Sequence, residues 1–332
     1  MRKALGARDD LLLHAAERWE IAPAGSVEVR PAKVLPGQLD RIRGAEFGTL
    51  AQVVRDFQGG YGAAQPPTMA YRFKDVELID GVLYAAGSAR HLRARQQRWP
   101  VGRLPAEPIR GSLYESWCGN RWFGNWLGDD CLAYRLAEDA GSPLATGTMS
   151  GHQSVYERKL GMRPVRVQAA RFSELVLFED RSHNQHKRER ADDLRRRLIA
   201  GPVRRHPGVF MVRGQSGDPR VLLNEREISE RLAATRGFTI LDPTIATVDE
   251  IVDVCGGAEV VAGVEGSQLV HGLMLMPPTA RALVIQPPAR AVSVLKMFTD
   301  RQGQDFALVV GVGNNEAFRV DVGDIERTLD LA

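Results

Sequence analysis

Cysteine is scarce in this chain. Cys118, Cys131 and Cys255 are scattered over 332 positions, with no C-x-x-C pair. An odd, widely spaced set makes neither a disulfide framework nor a cysteine zinc site, and it suits a reducing compartment. Long apolar runs are also missing. The first, Leu11-Leu12-Leu13, is broken by His14, Glu17 and Arg18, and no later segment approaches the ~20 residues of a membrane-spanning helix. The expectation is a cytoplasmic protein, at most peripheral on the inner face of a membrane.

Several catalytic signatures are absent. No Asp-x-Asp offers a carboxylate pair for a metal-chelated nucleotide diphosphate. Walker A, H-E-x-x-H, G-x-S-x-G and G-x-G-x-x-G do not occur either, and the last absence counts against a nicotinamide enzyme. A large charge excess is lacking too. Lys and Arg number 44 against 41 Asp and Glu, a net +3, so global electrostatics predict no nucleic-acid partner. What remains is an ordinary globular composition, 44% hydrophobic and 26% charged, on a chain long enough for two α/β domains.

Residues 1–110 read as a β-rich region. Ser26–Val29 and Val76–Ile79 are strand-like, and Asp80-Gly81 between two β runs predicts a type I′ hairpin turn. Gln58–Gly62, followed by Pro66-Pro67, reads as a loop. From about residue 111 strands and helices alternate, which implies an α/β fold with a parallel sheet. Strands are expected at 172–178, 209–212, 239–241, 259–262, 283–286, 306–310 and 318–322. Helices are expected at 184–198, 225–234, 248–255 and 324–331. Asn224 with Glu227, and Thr247 with Glu250, are spaced as N-cap and capping-box partner.

Four clusters can carry chemistry. The turn Gly263–Ser267 leaves a buried strand and opens a helix. Its N–H groups and the helix dipole would receive a phosphate, although Gly263 and Gly266 also suit a plain tight turn. Arg213 follows the 209–212 strand, where a guanidinium fork enters the crevice beyond the strand ends; for Arg220, after the next turn, a surface arginine tethering that turn is the favoured reading. The stretch Trp117–Asp130 (WCGNRWFGNWLGDD) joins tryptophans to carboxylates. It suits a sugar-binding surface with Asp129 or Asp130 as base, or equally a packed core with helix-dipole partners. Last comes a basic helix: Lys187, Arg188, Arg190, Arg195, Arg196 and Arg197, continued by Arg204 and Arg205. Interleaved acids make it a solvated face; contact with an anionic membrane or a lipid-diphosphate acceptor through 187–205 is the sharper reading. His183 and His186 are a weak metal signal without further ligands.

The run from Val212 to Pro287 resembles the core of glycosyltransferase family 61. Arg213, Arg220, Asn224-Glu225, Gly237-Phe238, Pro243 and Thr247–Glu250 follow the family's order. Glu265-Gly266-Ser267-Gln268-Leu269-Val270-His271 stands at its His-Gly-Ala-Gly-Leu-Thr-Asn motif, with Pro277-Pro278 beyond. Phe123-Gly124-Asn125-Trp126-Leu127-Gly128-Asp129 is similar to its upstream Phe/Tyr-Gly-His-Trp-Leu-x-Glu. Asn125 stands where His is usual, Asp129 where Glu is usual, and Glu265 where His is usual.

The resemblance implies two Rossmann-like domains of GT-B type behind a β-rich region, divided as 1–110, 111–200 (acceptor side) and 201–332 (donor side). It implies inverting, metal-independent transfer from a nucleotide sugar to a glycan or lipid-linked glycan, with no cofactor. Asp129 is the expected base and Glu265 the second choice. Arg213, Arg220, Asn224, Gly266, Ser267, Gln268 and His271 would bind the donor, and Trp122, Asn125 and Trp126 the acceptor. A carboxylate at 265 would repel a diphosphate. A degenerate member that binds carbohydrate or nucleotide without catalysis is therefore the alternative.

Overall fold

The computed structural model describes residues 10–97, 104–215, 217, 220–314 and 316–331. It is a mixed α/β protein whose described residues form two compact units, interleaved in sequence. One draws on the chain through Gly25 and on Gln65–Ser182, the other on Ser26–Ala64 and the chain from His183 onward.

The first unit is organised by one mixed sheet. Its strands are β1 (Glu17–Ala22), β2 (Thr68–Ile79), β3 (Val82–Ala85), β4 (Ser88–His91), β5 (Ile109–Leu113), β6 (Pro143–Ala145), β7 (Val165–Arg166) and β8 (Ala170–Glu179). The order is β7-β6-β5-β8-β2-β3-β4, with β1 alongside β2. The predicted hairpin is present: Ile79 pairs with Val82 across Asp80-Gly81, which have φ of 48° and 72°. β8 lies parallel to β5 and antiparallel to β2, and its successive residues Leu175, Val176 and Leu177, which point to alternate faces, are all buried. This pairing joins the N-terminal β-rich region and the later parallel strands in one sheet. The long-range β2–β8 ladder that does so has no local signature in either segment.

Parallel strands need crossovers. The helices α1 (Cys131–Ala140) and α2 (Gly151–Lys159) supply them between β5, β6 and β7. Leu132, Ala133, Leu136 and Ala137 are buried at helical spacing along α1.

The second unit holds a parallel sheet of β9 (Val209–Met211), β10 (Thr239–Leu241), β11 (Val260–Val264), β12 (Arg281–Gln286) and β13 (Asp305–Val310). Their order is β10-β9-β11-β12-β13, and Lys33–Val34 from the N-terminal segment adds a parallel edge. Besides a short helix at Leu50–Gln58, the unit's helices are α3 (Gln185–Leu198), α4 (Glu225–Arg236), α5 (Val248–Gly256), α6 (Gln268–Leu275), α7 (Val294–Gln302) and α8 (Val322–Leu329). α5 begins with the predicted capping box: the Glu250 N–H donates to Thr247 Oγ1 (3.2 Å), and the Thr247 N–H donates to the Glu250 carboxylate (2.7 Å).

Three local expectations are corrected. β11 runs on through Gly263 and Val264, so Gly263 is a strand residue rather than the start of a turn; a Cβ there would lie 2.6 Å from the Met211 carbonyl oxygen of β9. The 58–62 loop gives way at Tyr61 to a strand, Tyr61–Gln65, paired with Gly25–Val29. Asn224 makes no side-chain cap for α4, because its amide exchanges two hydrogen bonds with the Val320 backbone (2.8 and 3.3 Å).

Candidate active site

In the second unit, β9 is flanked by β10 on one side and β11 on the other, so the chain leaves it in both directions across the sheet. Such a switch point opens a crevice at the carboxyl ends of the two inner strands. Arg213 stands there at the end of β9, and Glu265-Gly266-Ser267 at the end of β11. The Arg213 backbone is anchored by Glu225, whose carboxylate accepts from the N–H groups of Arg213 and Gly214 (2.8 Å each). Its guanidinium donates to Gln268 Oε1 (3.2 Å), and Gln268 Nε2 donates in turn to the Val264 carbonyl (2.6 Å). A Cβ on Gly266 would overlap Arg213 Nη1 and Gln268 Oε1, so glycine is what lets this guanidinium lie against the turn.

Glu265 sits among cations. Its Oε2 is 3.0 Å from Arg220 Nη1 and 3.7 Å from Arg290 Nη1, and Arg290 Nε is 3.8 Å from the Glu46 carboxylate. The side chains of Glu265 and Arg220 are each 8% exposed. Arg220 is therefore a buried partner of Glu265 rather than a surface tether. Among the described residues its Nε is buried without a hydrogen-bond partner. The charge expected to repel a diphosphate is compensated by two guanidinium groups.

The remaining donor-side candidates divide. Ser267 is the N-cap of α6 and Gln268 its first residue; the Leu269 and Val270 N–H groups donate back to the Gly266 (3.1 Å) and Ser267 (3.2 Å) carbonyls. His271 lies one turn further along and is buried at 3% exposure. Asn224 is occupied with Val320, as described.

In the first unit, Trp117–Arg121 and Phe123–Asn125 are short helices that lead into a π-helical turn, Trp126–Asp130, and then α1. π turns are rare and often mark functional sites. Asn125 Nδ2 donates to Asp129 Oδ2 (3.0 Å), so the two positions that depart from the family motif contact each other. Asp129 is half-buried. Asp130 is fully enclosed: it accepts from Ser116 Oγ (2.7 Å) and N (3.1 Å), and burial still holds its carboxyl well above the usual range. Trp126 is 1% exposed and packs against Phe123 and Tyr156, so it is a core residue, whereas Trp122 is half-buried under Arg121.

The basic helix is less basic at its surface than its sequence suggests. Lys187 and Arg190 are buried, and Arg195 donates to the Leu275 and Gly256 carbonyls at the C-terminal ends of α6 and α5. Arg196, Arg197, Arg204 and Arg205 are exposed, with Asp193 close to the first two. His183 is buried against Phe298 (ring centroids 6.1 Å apart). Among the described residues no helix is long and apolar enough to cross a membrane.

Three residues were missed from sequence. Arg290 lies in the loop after β12 and not directly at the strand's end as Arg213 does, so a strand-end rule passes over it. Glu225 has the sequence signature of a helix start, and its anchoring of the Arg213 backbone carries none. Glu115, at the end of β5, accepts from Thr146 N (2.9 Å), Thr146 Oγ1 (2.6 Å) and Gly147 N (3.2 Å) and ties the ends of β5 and β6 together.

The second unit thus defines an α/β protein with an arginine-lined crevice at a topological switch point. Residues 89–283, well over half of the chain, match the family model Glycosyltransferase 61, and the chain belongs to glycosyltransferase family 61. The match spans the Phe123–Asp129 motif, Arg213, Arg220 and Glu265; Arg290 and Glu46 lie outside it. A search of the curated proteins finds no match.

Proposed function

We propose that the protein transfers a sugar from a nucleotide-sugar donor to a glycan or glycoconjugate acceptor, with inversion and without a metal cofactor, on two Rossmann-like domains of GT-B type. The observation that carries this reading is the convergence of Arg213, Arg220 and Arg290 on the carboxyl ends of β9, β11 and β12, beside the glycine turn at Gly266.

In a direct displacement the acceptor oxygen attacks the anomeric carbon as the bond to the nucleoside diphosphate breaks. Negative charge grows on the leaving phosphate. Donors already aimed at that position stabilise the transition state without reorganising. Arg213 and the N–H groups of residues 266–268 serve in this role, and Arg220 Nε is a further donor. The acceptor proton needs a base. Glu265 is engaged with two arginines, so the assignment goes to Asp129, oriented by Asn125.

The test is transfer and donor hydrolysis by Arg213→Ala, with circular dichroism to establish folding. Glu225 holds the backbone at residue 213 rather than its side chain, so the variant folds. A loss of at least a hundredfold in turnover is expected, as for removal of one transition-state donor. Full activity would remove Arg213 from the scheme. The replacement of two family histidines by Asn125 and Glu265 keeps a second reading in view, a binding protein without transfer. Nucleotide binding with no turnover on a broad acceptor panel would favour it.

A further inference from the structure

We propose that Phe47 is the platform on which the nucleobase of the bound nucleotide stacks, an assignment that rests on the donor-site reading above. Phe47 adopts φ 60°, in the left-handed region, and the residue is 57% exposed. Both features are unfavourable for a bulky aromatic residue, and neither is repaid by burial in the core. Gly48, next in the chain, would adopt a positive φ at little cost, yet the conformation falls on Phe47. The other described non-glycine residues with positive φ are Asp75, Asp80 and Ala86, all small. Strain held on an exposed aromatic side chain points to function.

The location agrees. The Arg43 N–H donates to the Pro288 carbonyl (2.6 Å), the Glu46 N–H to the Ala291 carbonyl (3.0 Å), and the Ala291 N–H to the Gly44 carbonyl (2.9 Å). A Cβ on Gly44 would overlap the Ala289 carbonyl oxygen, so the two segments are in close backbone contact. This zipper fixes Phe47 beside the loop that follows β12. Arg290, in that loop, connects the two ends of the site: Nη1 is 3.7 Å from Glu265, and the guanidinium carbon is 5.8 Å from the Phe47 ring centroid. With a diphosphate at Arg213, Arg220 and Gly266, the nucleoside extends past Arg290 toward the ring. A phenyl ring and a guanidinium are both flat π surfaces, and a nucleobase is the flat partner that stacks on them whatever its identity.

The experiment is calorimetric titration of the full chain and of Phe47→Ala, Phe47→Trp and Phe47→Gly with inorganic pyrophosphate and with UDP, GDP, CMP and ADP. Phe47→Ala is expected to weaken the tightest-binding nucleotide on the order of tenfold, within the range measured for base–aromatic stacking, and to leave pyrophosphate unchanged. Phe47→Trp retains nucleotide affinity. Phe47→Gly loses it while raising Tm, because glycine relieves the left-handed backbone; a merely structural Phe47 would lower Tm instead. Unchanged nucleotide affinity in Phe47→Ala overturns the assignment. An equal loss for pyrophosphate, or a loss confined to the intact nucleotide sugar, overturns it as well, since the ring would then be supporting Arg290 or touching the sugar. If the unaltered chain binds neither pyrophosphate nor any nucleotide, the donor-site reading fails and this one fails with it.

Discussion

Replacing Glu265 by Gln removes the carboxylate that pairs with both Arg220 and Arg290. The side chains of Glu265 and Arg220 are 8% exposed and that of Arg290 is 11% exposed, so solvent does little to compensate the cations left behind. Removing one partner of a buried ion pair costs about 3–5 kcal/mol. Gln keeps the shape and one acceptor oxygen, and Arg290 keeps Glu46 at 3.8 Å, which argues for the lower end, about 3 kcal/mol. For a unit of this size that corresponds to a Tm fall of roughly 6–12 °C. A bound anion reverses it. Pyrophosphate at a hundred times its Kd returns about 2.7 kcal/mol, nearly the whole loss. The assay is differential scanning fluorimetry of both proteins with and without pyrophosphate. The variant should start lower and gain more, because no resident carboxylate competes for the arginines. An unchanged Tm, or a pyrophosphate response no larger than that of the unaltered chain, would refute the argument.

Two further predictions address the first unit. Gly81→Ala is expected to destabilise the protein by about 1–2 kcal/mol in chemical denaturation, since φ there is 72° and the added Cβ would overlap the Arg93 side chain; a neutral result would deny that the hairpin turn is constrained. Burial pushes the Cys118 thiol up, and Asp129 and Asp130 add to the shift. A raised thiol pKa leaves less thiolate at pH 8, so iodoacetamide should react slowly, and Asp129→Asn should speed the reaction and move its pH midpoint down. An alkylation profile untouched by that substitution would mean that Asp129 carries no charge next to the thiol, and would weaken its assignment as base.

Much of the second unit's arginine-lined crevice was legible in the sequence because its signals are local. A strand followed by arginine, a glycine turn opening a helix, and Thr247 three residues before Glu250 each depend on neighbours a few positions apart. What failed depends on distant partners. Asn224 has the residue type and position of an N-cap, but the Val320 backbone, 96 residues away, takes its amide. Gly263 looked like the start of a turn, yet it serves the close approach of Met211 on the neighbouring strand. The 26–64 segment joins the second unit through the Lys33–Val34 strand edge and the zipper at residues 43–46, and neither has a sequence pattern of its own. Around Asp129 the motif was readable, but the π turn that presents it was not, because helical periodicity does not register one extra residue.

The most direct test of the central claim, a nucleotide-diphosphate site built from arginines, is calorimetric titration of the purified chain with UDP, GDP, CMP and ADP, in magnesium and again in EDTA. The account predicts saturable binding of one nucleotide, equal in both buffers and lost in Arg213→Ala. Silence across the panel, or binding that requires magnesium, would contradict it.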